Sequence, residues 1–489
     1  MAEVPSFDSF FIGGKWVPPT TSDRFEVVNP ATEEVVGSAP AAAPADVDAA
    51  VAAAKAAFDD GPWPRMSAAE RADVMAALHA EVIAASNDLA ELITIENGSP
   101  LLFSHLGQVG ASAMVLDYFV GLTRTYPFEE VRQGFLGPAL VRREPVGVCA
   151  GIIPWNVPLF ITMLKLAPAL ASGSTIVLKP APETPLDALV LAQLAEKVGL
   201  PDGVLNVVPA DRGPGEHLVT HPDIDKVSFT GSTAAGRKVG AICGEQLKRC
   251  TLELGGKSAA ILLDDADLDA TIPELLTSAV MNNGQACVAQ TRILASRSRY
   301  DEVVEALTEA TKALVVGDPM DMSTAVGPLV AQRQRDRVEG YIAKGREAGA
   351  TITTGGGRPA GIDRGWFVEP TVFAGVTNDM VIAQEEIFGP VLSVIGYDDE
   401  ADAVRIANDS DYGLSGTVWT ADVAHGVDVA RGVRTGTYTV NGFAMEWSAP
   451  FGGYKSSGVG RELGPEGLSA YLESKTINLP AGTEVELRQ

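Results

Sequence analysis

Apolar residues recur with two different periods along this chain, and the change of period marks its organisation. Near the start, 10–16 reads as a strand and turn, and 29–32 as a second turn. Between 46 and 58, Val47, Val51 and Phe58 fall on one helical stripe, with Asp46 as the expected N-cap. Helical spacing returns over 68–85 and 101–122, whereas 126–141 has no helical period and reads as extended. From Val146 the pattern becomes strand, helix, strand. Short apolar runs at 146–153, 174–178, 204–208 and 226–229 surround a helix at 186–198 that stops at Gly199. The alternation restarts after Gly256 with a strand at 258–263, a helix at 268–281, a strand at 291–295 and a helix at 300–315. Strands alternating with helices imply parallel βαβ units. The chain is therefore expected to be an α/β protein with two parallel-sheet domains and a hinge near Gly255-Gly256.

A chain of 489 residues exceeds what one hydrophobic core usually serves, which agrees with more than one domain. A formal net charge of −26 argues against nucleic acid or an anionic membrane as a partner. The most apolar span, 157–171, is interrupted by Lys165 and Pro168 and is too short to cross a bilayer. Met1-Ala2-Glu3-Val4-Pro5 has no basic stretch leading into an apolar run, so no signal peptide is expected. The four cysteines, Cys149, Cys243, Cys250 and Cys287, form no C-x-x-C pair and no zinc-ligand spacing. No metal is expected, and a cysteine-poor chain suits a reducing compartment, the cytoplasm.

One cysteine stands apart. Cys287 closes the stretch Asn282-Asn283-Gly284-Gln285-Ala286-Cys287, which follows an apolar helix pattern. Upstream lies Glu253 in Glu253-Leu254-Gly255-Gly256-Lys257. A thiolate attacks a carbonyl carbon well, and a carboxylate can activate a thiol or a water. By itself, a single cysteine is as readily a buried core thiol. The two stretches together resemble the signatures of the aldehyde dehydrogenase superfamily. The resemblance implies Cys287 as nucleophile, Glu253 as general base, and Asn156 of Pro154-Trp155-Asn156-Val157-Pro158 as oxyanion donor with the Cys287 N–H.

Further stretches carry the resemblance along nearly the whole chain. Phe229-Thr230-Gly231-Ser232-Thr233-Ala234-Ala235-Gly236 follows a strand and opens a helix, where backbone amides can hold a phosphate. Its spacing is G-x-x-x-x-G rather than G-x-G-x-x-G. Lys179 ends a strand, and Glu385-Glu386-Ile387-Phe388-Gly389-Pro390 forms another block. In such relatives these stretches hold a nicotinamide dinucleotide. The resemblance assigns cofactor contacts to Ile153, Trp155, Lys179, Gly213, Thr230, Gly231, Ser232, Gly236, Leu254, Glu386 and Phe388. Pro182 stands where many relatives carry the glutamate that favours NAD, so NAD is expected and NADP is left open. Lys165 and Glu462 match a pair proposed as a proton relay in relatives, and they serve equally as a structural ion pair.

The expected fold is aldehyde dehydrogenase-like: two Rossmann-type α/β domains plus a small β oligomerisation arm. Residues 1–125 and 142–255 would bind the dinucleotide and 256–465 would carry the catalytic residues. Residues 126–141 and 466–489 would join subunits into a homodimer or homotetramer. The expected reaction oxidises an aldehyde to its acid through a Cys287 thiohemiacetal and thioester, which Glu253 helps to hydrolyse. Val157, Phe451 and Trp447 are expected to line a mostly apolar substrate pocket, with Glu446 allowing a cationic aldehyde. Three rivals stay open: a cysteine hydrolase, a CoA-acylating enzyme, and a non-catalytic protein on the same fold. The hydrolase would ordinarily need a histidine partner, and His79, His105, His217, His221 and His425 all lie outside motifs of that kind.

Overall fold

The computed structural model describes residues 4–487; the ends of the expected outer segments, 1–3 and 488–489, lie outside the described residues, as does part of the Met1–Pro5 stretch. The expected architecture is found. An eight-stranded sheet has five parallel strands at its centre, in the order Arg249–Glu253, Lys226–Thr230, Val148–Ile152, Thr175–Lys179, Leu205–Val207. Antiparallel strands flank it: Gly458–Val459 at one edge, Phe10–Ile12 and then Lys15–Val17 at the other. The three strands beginning with Val148–Ile152 run outward one way, and the next two run outward the other way. The order therefore reverses between Val148–Ile152 and Lys226–Thr230, which is where open α/β sheets form a ligand crevice.

The second, seven-stranded sheet places Ala259–Leu262 and Arg292–Ser296 side by side at its centre, parallel to Thr371–Val376, Val391–Tyr397 and Gly416–Trp419. The sequence explains why these strands are central. Arg292–Ser296 and Ala259–Leu262 are buried along their whole length, as parallel strands covered on both faces must be. A third, antiparallel sheet pairs Glu129–Gly134, Gly137–Pro145 and Leu472–Asn478. Its middle strand continues four residues past 141, and its third strand comes from the far end of the chain. The turn between the first two strands exposes Phe135 and Leu136.

Two local expectations are corrected. The helix near 46 starts at Pro44 with Ala43 as its N-cap, and Asp46 sits in the first turn, its carboxylate accepting from the Ala43 amide at 2.9 Å. Proline at the first helical position favours that earlier start, because its missing N–H has no partner to lose. The stretch 101–122 is not one regular helix. A π-helical turn, Ser104–Gly110, separates Leu101–Phe103 from Ala111–Thr125. Buried Gln108 lies in that turn, and its side chain donates to Ser99 at 3.1 Å. At Gly255-Gly256, where the hinge between domains is expected, Glu386 and Cys287 press close. The apolar helix Pro158–Ser172 is buried at every residue, and among the described residues no helix is long and apolar enough to cross a membrane.

Candidate active site

Cys287 follows a backbone that a regular helix could not supply. The helix Leu268–Ala279 ends, and a 3-10 turn, Met281–Gly284, carries Asn282 and Asn283 at φ of 49° and 62°. Asparagine tolerates this left-handed region better than most residues, because its short polar side chain can bond locally. Here both side chains instead bond backbone brought in from distant segments. Asn282 Nδ2 donates to the Asn156 carbonyl at 2.7 Å, and Asn283 Nδ2 donates to the Gly98 and Pro328 carbonyls, each at 2.8 Å. Gln285 Oε1 accepts from the Val330 amide at 3.0 Å. Asn156 Nδ2 in turn donates to the Gln285 carbonyl at 2.9 Å. The loop that presents the thiol is thus held by buried amide groups on both sides.

Cys287, Glu253 and Asn156 line one cavity of about 930 Å³, together with Val157, Phe451 and Trp447. All six residues named in advance for catalysis and the substrate pocket meet there. The wall is mainly apolar: Phe160, Leu164, Met281, Phe443 and Met445 join it from separate parts of the chain, with Leu106 and Met114 contributed by the π-helical region and the helix after it. Phe160 and Trp447 meet edge to face with centroids 6.0 Å apart. Glu446 is not on the wall; its carboxylate accepts from the Ser448 amide and hydroxyl at 3.0 and 2.8 Å, which turns it away. Among the described residues, no histidine lines the cavity.

Glu253 ends the strand Arg249–Glu253 and is 3% exposed, and neither of its carboxylate oxygens has a hydrogen-bond partner. Burial pushes its carboxyl well above the ordinary range. The nearby charge of Glu462 adds to that rise, and the Lys165 ammonium opposes it. Lys165 and Glu462 form a buried ion pair at 2.7 Å, and Lys165 also donates to Thr230 Oγ1 at 2.7 Å. Burial, with Glu386 and Glu253 in support, pushes the Cys287 thiol up to about 12. The thiol and the carboxyl therefore both favour their neutral forms here.

Several residues named for a dinucleotide lie at the strand-order reversal. Ile153 and Trp155 follow one of its two strands, and Gly231 and Ser232 follow the other. Ser232 N-caps the helix Thr233–Glu245, accepting from the Ala235 amide at 3.3 Å. That helix packs tightly on Leu254: a β-carbon on Gly236 would lie 2.3 Å from its Cδ2. Lys179 is buried and donates to the Pro180 and Ala210 carbonyls at 3.0 and 2.8 Å, and burial lowers its ammonium to about 8. The Gly213 amide donates to Asp211 Oδ1 at 3.1 Å, within its own helix cap. Glu386 Oε1 accepts from the Gly256 amide at 2.9 Å, and burial raises its carboxyl to about 7. Phe388 adopts φ of 68°, and its ring meets Trp155 edge-on at 5.4 Å.

Two polar residues at this crevice escaped the sequence reading. Gln334 donates to the Phe388 carbonyl at 2.7 Å, and Arg337 donates to the Glu386 carbonyl at 2.6 Å. Both lie on the strongly polar helix Gln332–Glu347, whose charged pattern reads as a solvated face. Arg333, from the same helix, pairs with Glu183, next to Pro182. These contacts join segments far apart in the chain, and no local motif announces them.

Two mainly parallel sheets, a crevice at a strand-order reversal and an apolar cavity lined by both a thiol and a buried carboxyl mark an α/β enzyme. The comparisons with known proteins sharpen it. The model of the aldehyde dehydrogenase family matches residues 16–477. The chain is 49% identical over 470 residues to geranial dehydrogenase of Castellaniella defragrans, covering 96% of this chain and 98% of that one. It is 43% identical over 476 residues to 3-succinoylsemialdehyde-pyridine dehydrogenase of a Pseudomonas species, covering 96% and 98%. Among solved structures, an aldehyde dehydrogenase of Mycobacterium tuberculosis complexed with NAD+ superposes with a TM-score of 0.97 at 54% identity, covering 99% and 100%. Aldehyde dehydrogenase C of Pseudomonas syringae, a mutant complexed with NAD+ and octanal, gives 0.95 at 42%, covering 98% of each chain. This chain belongs to the aldehyde dehydrogenase family, whose general chemistry is the oxidation of aldehydes to acids.

Proposed function

We propose that this protein oxidises an apolar aldehyde to the carboxylic acid with NAD+, using Cys287 as nucleophile and Glu253 as general base. The observation that carries the reading is the meeting of Cys287, Glu253 and Asn156 in one apolar cavity of about 930 Å³. Cys287 Sγ adds to the aldehyde carbon to give a thiohemiacetal. Asn156 has two amide protons; one is used on the Gln285 carbonyl, and the other, with the Cys287 N–H, serves the developing oxyanion. Oxidation leaves a thioester on Cys287. Glu253 then takes a proton from water as that water attacks the thioester. Burial raises the Glu253 carboxyl, which makes its carboxylate a stronger base than an exposed glutamate.

The dinucleotide, when bound, supplies the hydride acceptor. The residues at the crevice fit it. The Gly231-Ser232 turn opens a helix whose amides suit a pyrophosphate, and Lys179, buried at the end of its own strand, would meet the adenosine ribose. Glu386 offers a carboxylate for ribose hydroxyls, and Phe388 with Trp155 offers an aromatic wall. NAD+ is preferred, and the pairing of Arg333 with Glu183, next to Pro182, supports that choice by engaging an arginine that could otherwise meet a further phosphate. Solved structures of relatives in complex with NAD+ support the same choice. The absence of a histidine from the cavity wall favours this reading over a cysteine hydrolase. The arm strands, with Phe135 and Leu136 exposed between them, would pair subunits in a homo-oligomer.

The test is a panel of aldehydes assayed with NAD+ and NADP+. Aliphatic and terpenoid aldehydes should turn over with NAD+ and give the acid. Higher kcat/KM with NADP+ would overturn the cofactor assignment, and hydrolysis of esters as the sole activity would overturn the reaction.

A further inference from the structure

We propose that Cys243 and Cys250 form a peroxide-reactive dithiol, which closes to a disulfide away from the substrate cavity and leaves Cys287 and the crevice unaltered. The placement of the two thiols follows from a match between one helix and one strand. The helix Thr233–Glu245 is followed by the strand Arg249–Glu253, which runs back beneath it. One stripe of the helix faces every second residue of that strand. A β-carbon on Gly236 would lie 2.3 Å from Leu254 Cδ2, and one on Gly240 would lie 3.2 Å from Leu252 Cδ1. Four residues of helix rise about 6 Å and two residues of strand about 6.6 Å, so the pairing stays in step. Three residues further along the stripe stands Cys243, and the next inward-facing residue of the strand is Cys250. Both pack into the same apolar cluster as Leu252 and Leu254. The Cys243 thiol donates a hydrogen bond to the Cys250 sulfur.

The turn between them fixes this placement. The Lys248 amide donates to the Cys243 carbonyl at 2.9 Å, and Leu247 holds φ of 57°, a left-handed closure that sends the chain straight back as the strand. Helix and strand press together at Gly236 and Gly240, whereas a β-carbon on Gly244 would meet nothing within 4 Å. The last turn is therefore free to close the small distance that a disulfide needs, while the first turn, capped by Ser232, stays in place. The four thiols differ in reactivity. Cys250 is half-buried, and the Cys243 hydrogen bond holds it down to about 6 against burial, with help from the Lys226 ammonium. Burial pushes Cys149 and Cys287 up to about 12. The thiolate is the form that attacks peroxide. With hydrogen peroxide as oxidant, the Cys250 sulfur takes one oxygen, the O–O bond breaks, and the leaving hydroxide becomes water on protonation. The Cys243 sulfur then attacks the resulting sulfenic acid, its proton leaves with the hydroxyl as a second water, and the S–S bond forms. Two thiols are oxidised and one peroxide is reduced.

The experiment treats the full-length protein with hydrogen peroxide, alkylates the remaining thiols and maps tryptic peptides without reduction. Trypsin cuts after Lys248 and Arg249, so residues 239–248 and 250–257 leave as separate peptides that a Cys243–Cys250 bond joins. The expected product is that joined pair, with Cys149 and Cys287 still alkylated, and dithiothreitol should restore all four thiols. Dehydrogenase rate should stay within about twofold as the pair closes. In Cys243→Ser, dimedone should trap Cys250 as the sulfenic acid and no joined peptide should form. In Cys250→Ser, the first peroxide reaction should slow by about tenfold or more, because the remaining thiols are mostly protonated. Oxidation of Cys287 before the peptides join overturns the proposal, as does over-oxidation of Cys250 in the wild type with no joined peptide. A bond from either peptide to Cys149 or to a second copy also overturns it. A dehydrogenase rate that falls in step with joining overturns the claim that the catalytic site is spared. If a serine variant does not fold, the wild-type peptide map decides the question by the same criteria.

Discussion

A β-carbon placed on Gly256 would lie 2.3 Å from the main-chain oxygen of Cys287. The Gly256 amide meanwhile donates to Glu386, so this one residue touches both the thiol loop and the crevice. Gly256→Ala must push the Cys287 backbone away, since a carbonyl held by its loop cannot rotate clear. Overpacking of this kind costs about 1–3 kcal/mol. The expected outcome is a lower melting temperature together with a kcat reduced by about 100-fold, since a displacement near 1 Å at a reacting group is that damaging. Thermal melts and steady-state kinetics on the same sample check both.

Cys287→Ala removes the atom that forms the thioester, and dehydrogenase activity should disappear. Glu253→Gln keeps the thiol but removes the base, so turnover should fall by about 10²–10⁴-fold. Rapid mixing with NAD+ and aldehyde should then show a burst of NADH ahead of a slow steady state. Near-wild-type turnover in Glu253→Gln would remove that residue from the mechanism.

The acidic limb of the rate profile should lie above the ordinary glutamate range. Glu253 acts as a base when ionised, and burial penalises the ionised form, so activity rises only at higher pH. Two neighbours act on it with opposite sign. Glu462→Gln removes a repelling charge and should move the limb to lower pH. Lys165→Met removes an attracting charge and should move it to higher pH. A plot of kcat against pH for the three proteins tests this, and shifts of the same sign in both variants would refute it.

The arm should hold copies of the chain together. Phe135 and Leu136 stand exposed at the turn between two arm strands. Light scattering at micromolar concentration should give a dimer or tetramer for the wild type. Phe135→Ser with Leu136→Ser should weaken association, with little loss of monomer stability, because exposed positions make few contacts within the fold. A monodisperse wild-type monomer would overturn the assignment.

The sequence by itself determined the parallel α/β class and most element positions, because burial on two faces leaves an unbroken apolar run that needs no partner to be recognised. The strand Thr175–Lys179 and the helix Leu186–Lys197 lie within one residue of where the pattern puts them. It also determined Cys287, Glu253 and Asn156 as candidates, because each sits in a short stretch that resembles a signature of the aldehyde dehydrogenase superfamily. Other features were decided only by tertiary structure. The π-helical turn at Ser104–Gly110 answers to buried Gln108 and Ser99, and periodicity does not register that contact. The cavity wall is drawn from segments as distant as Leu106 and Trp447, which only folding brings together. Gln334 and Arg337 look like solvent-facing polar residues until the carbonyls of 386–388 are placed beside them. A hydrogen bond between residues some fifty positions apart leaves no trace in local composition, since its energy depends on distances that the chain acquires only when both sheets have packed.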